Sequence, residues 1–389
     1  MAAPSTLRPA LPVELWLQIF RLATISPSTS GLYATKYRPF EPIDFHGFDE
    51  ATSTKLALVL VCKRWRHWAT PLLYEDVLLP RDRNPLNHML RYEDNDDSTS
   101  VPTCMVHRVH LPYTSTTITT PKPIKPVQLL AQCPAVEVLV RTADMFASGN
   151  YEFDTDCPPL PALKRLDWWH NNEAARTGGI NSLPHVLGQA PNLEYLSIGG
   201  ELWQSFLYAP PVELPRLTTL RLRRVNAFYV MALARWTCPA LSHLVFDAMP
   251  IAEIFEPLWA AFGAQARTVE LGVSLKFYVH DFLALVLAGC PRLAELNYYV
   301  HFTHAPVPSR TQQELHTVGL HALPNSFYVA GSPDFWAHLG QHLGTYTEEL
   351  FPALQRVKLY GDWSAVREED EFERLVEPLR KRGCTIECA

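Results

Sequence analysis

The stretches 191–198 (PNLEYLSI), 215–222 (PRLTTLRL) and 239–246 (PALSHLVF) carry one pattern in three copies: proline, any residue, then Leu-x-x-Leu-x and a closing apolar side chain. Their prolines, Pro191, Pro215 and Pro239, fall 24 residues apart. The two closing apolar residues of each copy are separated by a single position, the alternation of a strand with one apolar face. The same register returns at Leu163-Leu166-Trp168, Leu293-Leu296-Tyr298 and Leu354-Val357-Leu359, with looser copies at Val136-Leu139, Ala266-Val269-Leu271 and Leu315-Val318-Leu320. Between copies run segments of helical character, such as residues 282–288 (FLALVLA) and 230–235. Helix, turn at proline and strand, repeated at this length, predict a solenoid whose units bury their apolar faces only against their neighbours.

This repeat resembles the leucine-rich repeat family, which implies parallel strands with helices behind them over residues 80–389. Three residues past the last leucine, where the family carries asparagine or cysteine, this chain has Glu201, Val225 and Met249. An irregular array without a regular asparagine ladder is therefore expected, its longest connection at residues 323–344. In parallel strands the x positions point to the open, solvent-facing side. Those positions include Arg165, Asp167, Trp169, Tyr195, Arg221, Arg223, His243, Asp247, Glu295, Asn297, Tyr299, Arg356, Lys358 and Tyr360. Exposed aromatic and arginine side chains are the types that anchor protein partners. The candidate target-binding residues are accordingly Trp169, Tyr195, Arg221, Arg223, His243, Asp247, Tyr299, Arg356, Lys358 and Tyr360.

Upstream of the repeat the pattern changes to helix. Residues 11–23 (LPVELWLQIFRLA) place Glu14, Gln18 and Arg21 on one narrow stripe, with Val13, Leu15, Trp16, Leu17, Ile19, Phe20 and Leu22 covering the rest. Pro12 and Glu14 suit a first helical turn. Such a helix must be covered almost all round. Residues 56–69 (LALVLVCKRWRHWA) predict a second helix, with Leu58, Val61, Cys62, Trp65, Trp68 and Ala69 on one face and Pro71 as its stop. Two helices this small leave apolar surface over, and such a patch is closed either by the remainder of the chain or by a partner.

The run Leu11-Pro12-x-Glu14-x-x-x-x-Ile19-Phe20, followed by Leu60-Val61-Cys62-Lys63-Arg64-Trp65, resembles the F-box, a module that docks on the Skp-family linker of cullin-RING ubiquitin ligases. The resemblance covers about the first fifth of the chain, and domains at 1–79 and 80–389 follow from it. It implies that Leu11, Pro12, Leu15, Ile19, Phe20, Val61, Cys62 and Trp65 form the linker-binding surface and its supporting core. This chain departs from the family by the long stretch 26–55 between the two halves. Its Tyr33, Tyr37, Phe40, Phe45 and Phe48 are too aromatic for plain disorder, so part of it should fold back on the helices.

Composition bounds the function further. A chain of 389 residues, 47% hydrophobic and 19% charged, can bury a large core. A net charge of -6 supplies no basic field for nucleic acid or anionic membrane, and no apolar run approaches a bilayer span. The expectation is a soluble protein of the cytoplasm or nucleus. Of the eight cysteines, Cys133, Cys238 and Cys290 each precede a proline in equivalent positions and read as one small buried thiol repeated. Residues 72–79 and 106–111 predict early strands, residues 94–97 a solvated acidic run and 114–126 a proline-marked loop. Residues 368–383 predict a closing helix and 384–388 an edge strand.

No phosphate-cradling glycine loop or nucleophile elbow occurs. His338 and His342 stand four apart but lack the glutamate of a zinc hydrolase, so a surface pair is expected; His301 and His304 read as solvent-facing, and Cys384 with Cys388 has no second pair. No catalytic residue, metal or cofactor is expected. The leading expectation is a non-enzymatic substrate receptor of a Skp-cullin-F-box ligase, its solenoid binding an unknown target protein. A scaffold outside any ubiquitin machinery and, last, a hydrolase with an unrecognised site are the alternatives.

Overall fold

All nine copies of the leucine pattern are strands. In the computed structural model they are β3 (Val138–Arg141), β4 (Arg165–His170), β5 (Tyr195–Gly200), β6 (Thr219–Val225), β7 (His243–Phe246), β8 (Thr268–Leu271), β9 (Glu295–Tyr299), β10 (Thr317–Ala322) and β11 (Arg356–Gly361). Two earlier strands, β1 (Asp76–Leu78) and β2 (Arg108–His110), and a last one, β12 (Thr385–Cys388), complete a sheet of twelve among the described residues. Spatial order follows sequence order and every pairing is parallel. The structure describes residues 11–24, 34–42, 48–78, 105–113, 126–141, 156–204, 210–248, 256–273, 281–300, 304–322 and 332–389. The acidic run 94–97, the loop 114–125, His301 and the stretch 323–331 lie outside them.

The leucines explain the layering. Leu166, Leu196, Leu220, Leu244, Val269, Leu296, Val318 and Val357 share one level of the ladder, and all are buried in a single core with the helices behind the sheet. Those helices include α4 (Pro126–Gln132), α5 (Asn172–Ala175), α6 (Leu183–Gly188), α7 (Ala227–Leu233), α8 (Glu256–Phe262), α9 (Phe282–Gly289) and α10 (Pro333–Thr345). Several start on side-chain caps: Asn171, Asn226, Asp281 and Ser332 accept from the N–H groups of Ala174, Tyr229, Ala284 and Phe335. Cys133, Cys238 and Cys290 fill buried positions at the turns. Some asparagine bridging does exist, one or more positions away from where the family pattern would put it. Asn172 holds Glu201 and Trp203 of the next turn, and Asn226 reaches back to both main-chain groups of Leu202. The array ends on α11 (Ser364–Arg367), α12 (Asp370–Lys381), Gly383 at φ 89° and the edge strand β12.

The first helices form a second, smaller core. Here α1 is Val13–Thr24, α2 is Phe48–Val61 and α3 is Lys63–Glu75. The single helix expected at 56–69 is broken at Cys62, whose extended backbone (φ -163°) separates α2 from α3 and whose Sγ accepts the N–H of Trp65. Pro71 does not end α3. It is exposed within it, and the helix runs on because Leu72 and Tyr74 are buried beyond it. The expected strand at 72–79 is thereby shortened to β1. Buried Lys55 of α2 pairs with Asp76 (2.5 Å), which also holds buried Arg108 of β2 (2.7 Å), joining the helices to the sheet.

Candidate functional site

Two surfaces gather the residues singled out by sequence. The first is the helix face. Phe20 is 1% exposed and packs with Trp16 and Trp65, ring centroids 5.9 and 4.7 Å away, while Trp16 and Trp65 lie 5.0 Å apart. Val59, Ala69 and Leu72 close this core from α2 and α3. The chain itself does not cover α1 all round, because only Phe20 and Thr24 of that helix are buried. Leu15 is 42% exposed, Ile19 43%, Leu22 76%, Leu60 73% and Val61 59%. Leu11, Pro12 and Cys62 are exposed as well, and Trp65 is half-buried. Six of the eight linker-face candidates thus lie open beside the core that Phe20 and Trp65 build.

The second surface is the polar face of the sheet, and it does not meet solvent as expected. Residues 34–42 (ATKYRPFEP) lie over it, so part of the insertion folds onto the sheet and not onto the helices. Arg165 Nη1 donates to the carbonyl of Ala34 (2.8 Å) and pairs with Glu41 Oε1 (2.7 Å), while its Nε donates to Asp167 (2.7 Å). Tyr37 stacks on His243 at 4.8 Å, and its hydroxyl donates to Glu270 Oε2 (2.8 Å) and accepts from Asn297 Nδ2 (2.7 Å). The Phe40 N–H donates to the same Glu270 oxygen (2.8 Å). The Phe40 ring sits among Tyr299, His321 and Tyr360, with centroids 5.1, 4.8 and 4.9 Å away. Phe40 itself adopts φ 55°, a left-handed conformation that costs an L residue ~1–2 kcal/mol and needs compensation from its surroundings.

The candidate target-binding residues divide accordingly. Tyr195, Arg221, Arg223 and Asp247 are buried, Trp169, His243, Tyr299, Lys358 and Tyr360 are half-buried, and Arg356 at the far end is exposed. Arg221 grips Asp247 with two hydrogen bonds of 2.7 and 2.8 Å. Arg165 lies over the Tyr195 ring at 4.2 Å and Arg223 over Trp169 at 5.5 Å. Gly199 gives Trp169 its place, since a Cβ there would meet the indole at 2.6 Å. Unlike Arg221, Arg223 keeps Nε and Nη2 without a hydrogen-bond partner among the described residues.

Burial governs the charges on this face. It pushes the Glu270 carboxyl up to about 7 against the pull of Arg221, and it raises Glu41 against the pull of Arg165 and Arg221, with the nearby Asp167 charge adding to the rise. Asp167 is also pushed up by burial, but Arg165 outweighs this and holds it below the ordinary range. Sequence reasoning missed Glu270, an unremarkable x-position residue; the aromatic richness of the insertion was the signal that something must receive it.

His338 and His342 are not a surface pair. His342 is buried in α10, its Nδ1 3.0 Å from the Tyr298 hydroxyl, and His338 Nε2 meets the Val300 carbonyl at 2.9 Å, because α10 packs against the end of β9. His304 is exposed. No trio of metal-ligating side chains occurs among the described residues, and no helix among them is long and apolar enough to cross a membrane. Compared with models of known protein families and with curated proteins, the chain matches none.

Proposed function

We propose that this chain is the substrate-recognition subunit of a Skp-cullin-F-box ubiquitin ligase, with α1–α3 docking on the Skp-family linker and the repeat array receiving a target protein. The observation that carries the reading is the open apolar ground of Leu15, Ile19, Leu22, Leu60 and Val61, next to a core that holds its shape without covering them. Apolar area of this kind gives ~25 cal/mol per Å² when a partner removes it from water. Its position agrees with the F-box-like run in the sequence. The receptor acts by proximity: it raises the local concentration of target lysines at a ubiquitin-charged enzyme, and bond-making belongs to another subunit. A cytoplasmic or nuclear location follows from such partners.

Co-purification tests this. Tagged full-length chain expressed in eukaryotic cells should bring down a Skp-family linker together with a cullin. The triple variant L15E/I19E/V61E should lose both while keeping the thermal melting point of the parent, since all three side chains face solvent. Retention of the linker by the variant would overturn the docking assignment.

A further inference from the structure

Residues 34–42 are an unusual occupant for the polar face of the sheet. They add no strand to it, and the β4–β11 ladder is complete beneath them. The helices on either side of the insertion have a core of their own. What holds the segment is a set of side-chain recognition contacts: Tyr37 on His243, Glu270 and Asn297, Phe40 in the cage of Tyr299, His321 and Tyr360, and Glu41 on Arg165. Aromatic anchors flanked by a buried ion pair are the features of a peptide ligand in its groove. The fit is also imperfect. Phe40 is held in a strained backbone conformation, and Arg223, buried beside Trp169, has two guanidinium nitrogens, Nε and Nη2, without a hydrogen-bond partner among the described residues.

From this we infer that the face spanned by β4 to β11 is a peptide-binding groove, that residues 34–42 occupy it as an internal ligand, and that the target is an extended protein segment of the same chemistry. That chemistry is a tyrosine, an aromatic residue three positions on and an acid directly after it, as in Tyr37, Phe40 and Glu41. The inference rests on the receptor reading, whose target-binding part it describes. Because the internal segment belongs to the same chain, it competes intramolecularly, so a target enters only if it outcompetes a strained ligand that leaves Arg223 Nε and Nη2 without a hydrogen bond among the described residues. The groove is thereby closed to weak ligands by the chain itself.

The probe is a fluorescein-labelled peptide with the sequence of residues 34–42, ATKYRPFEP, titrated by anisotropy into full-length protein. The variant Y37A/F40A, altered only in the internal segment, should bind it saturably and at least about tenfold tighter than the parent chain, which should bind it weakly. Equal binding by the two proteins would overturn the inference. So would an unfolded Y37A/F40A chain, because the segment would then be a structural part and not a ligand. The parent chain supplies an independent readout: millimolar unlabelled peptide should accelerate hydrogen exchange at the Phe40 amide, and an unchanged rate would contradict displacement. Linker capture, measured on the same samples, reports on the receptor reading alone, so the two can fail separately.

Discussion

Glu270 shows how one side chain couples the insertion to the sheet. Its carboxyl takes two donors from residues 34–42, yet burial dominates and lifts it to about 7 from an ordinary value of 4.5. A carboxyl raised on folding contributes stability that is full below about pH 4.5 and disappears as pH rises through about 7. Between about pH 5 and about pH 8 the parent should therefore lose urea resistance that E270Q keeps. The comparison is made between the two proteins because His243 and His321, both lowered by burial, contribute with the opposite sign in each. Equal pH slopes would remove Glu270 from this role. Arg221 makes a second test: R221A strands the buried Asp247 carboxylate and should cost ~3–5 kcal/mol by denaturant unfolding, against under ~1 kcal/mol for a change at exposed Arg356. Neither role could be assigned from sequence. A charged residue at an x position of a strand reads the same whether it meets water or another segment.

At the scale of elements, the leucine pattern announced every strand from β3 to β11, because a period-two apolar face has one stable destination, the core behind the sheet. Helix punctuation was less legible. Cys62 caps α3 only through a thiol that accepts the Trp65 N–H, and Pro71 is exposed in a helix held by the buried Ala69, Leu72 and Tyr74 around it. The helical module also separates core from surface in a way mutation can read. F20A should destabilise it by ~3–5 kcal/mol through the cavity left behind and W65A, at a half-buried ring, by less, whereas L15E, I19E and V61E should shift its stability little. Site-resolved hydrogen exchange over α1–α3 distinguishes them: the first pair should lose protection and the second set should keep it. Where residues 34–42 land was beyond local pattern altogether, since their hydrogen-bond partner Glu270 comes from 230 or more residues away in the chain and Arg165 from 131.

At the scale of the molecule, two cores share one chain and meet at a buried triad. Asp76 lies between Lys55 and Arg108, so D76N leaves two buried cations without this carboxylate and should cost ~3–5 kcal/mol. The loss should fall on the junction, seen as raised exchange in α2 and β2 while β6 to β9 stay protected. The central claim is that another polypeptide completes the apolar face of α1 and α2. The direct measurement is titration calorimetry of the full-length chain with a purified Skp-family linker at several temperatures. The account predicts a one-to-one complex with a negative heat-capacity change, as burial of apolar surface requires, and no heat of binding with L15E/I19E/V61E. A parent chain that gives no binding heat at any temperature, or a variant that binds as the parent does, would contradict it.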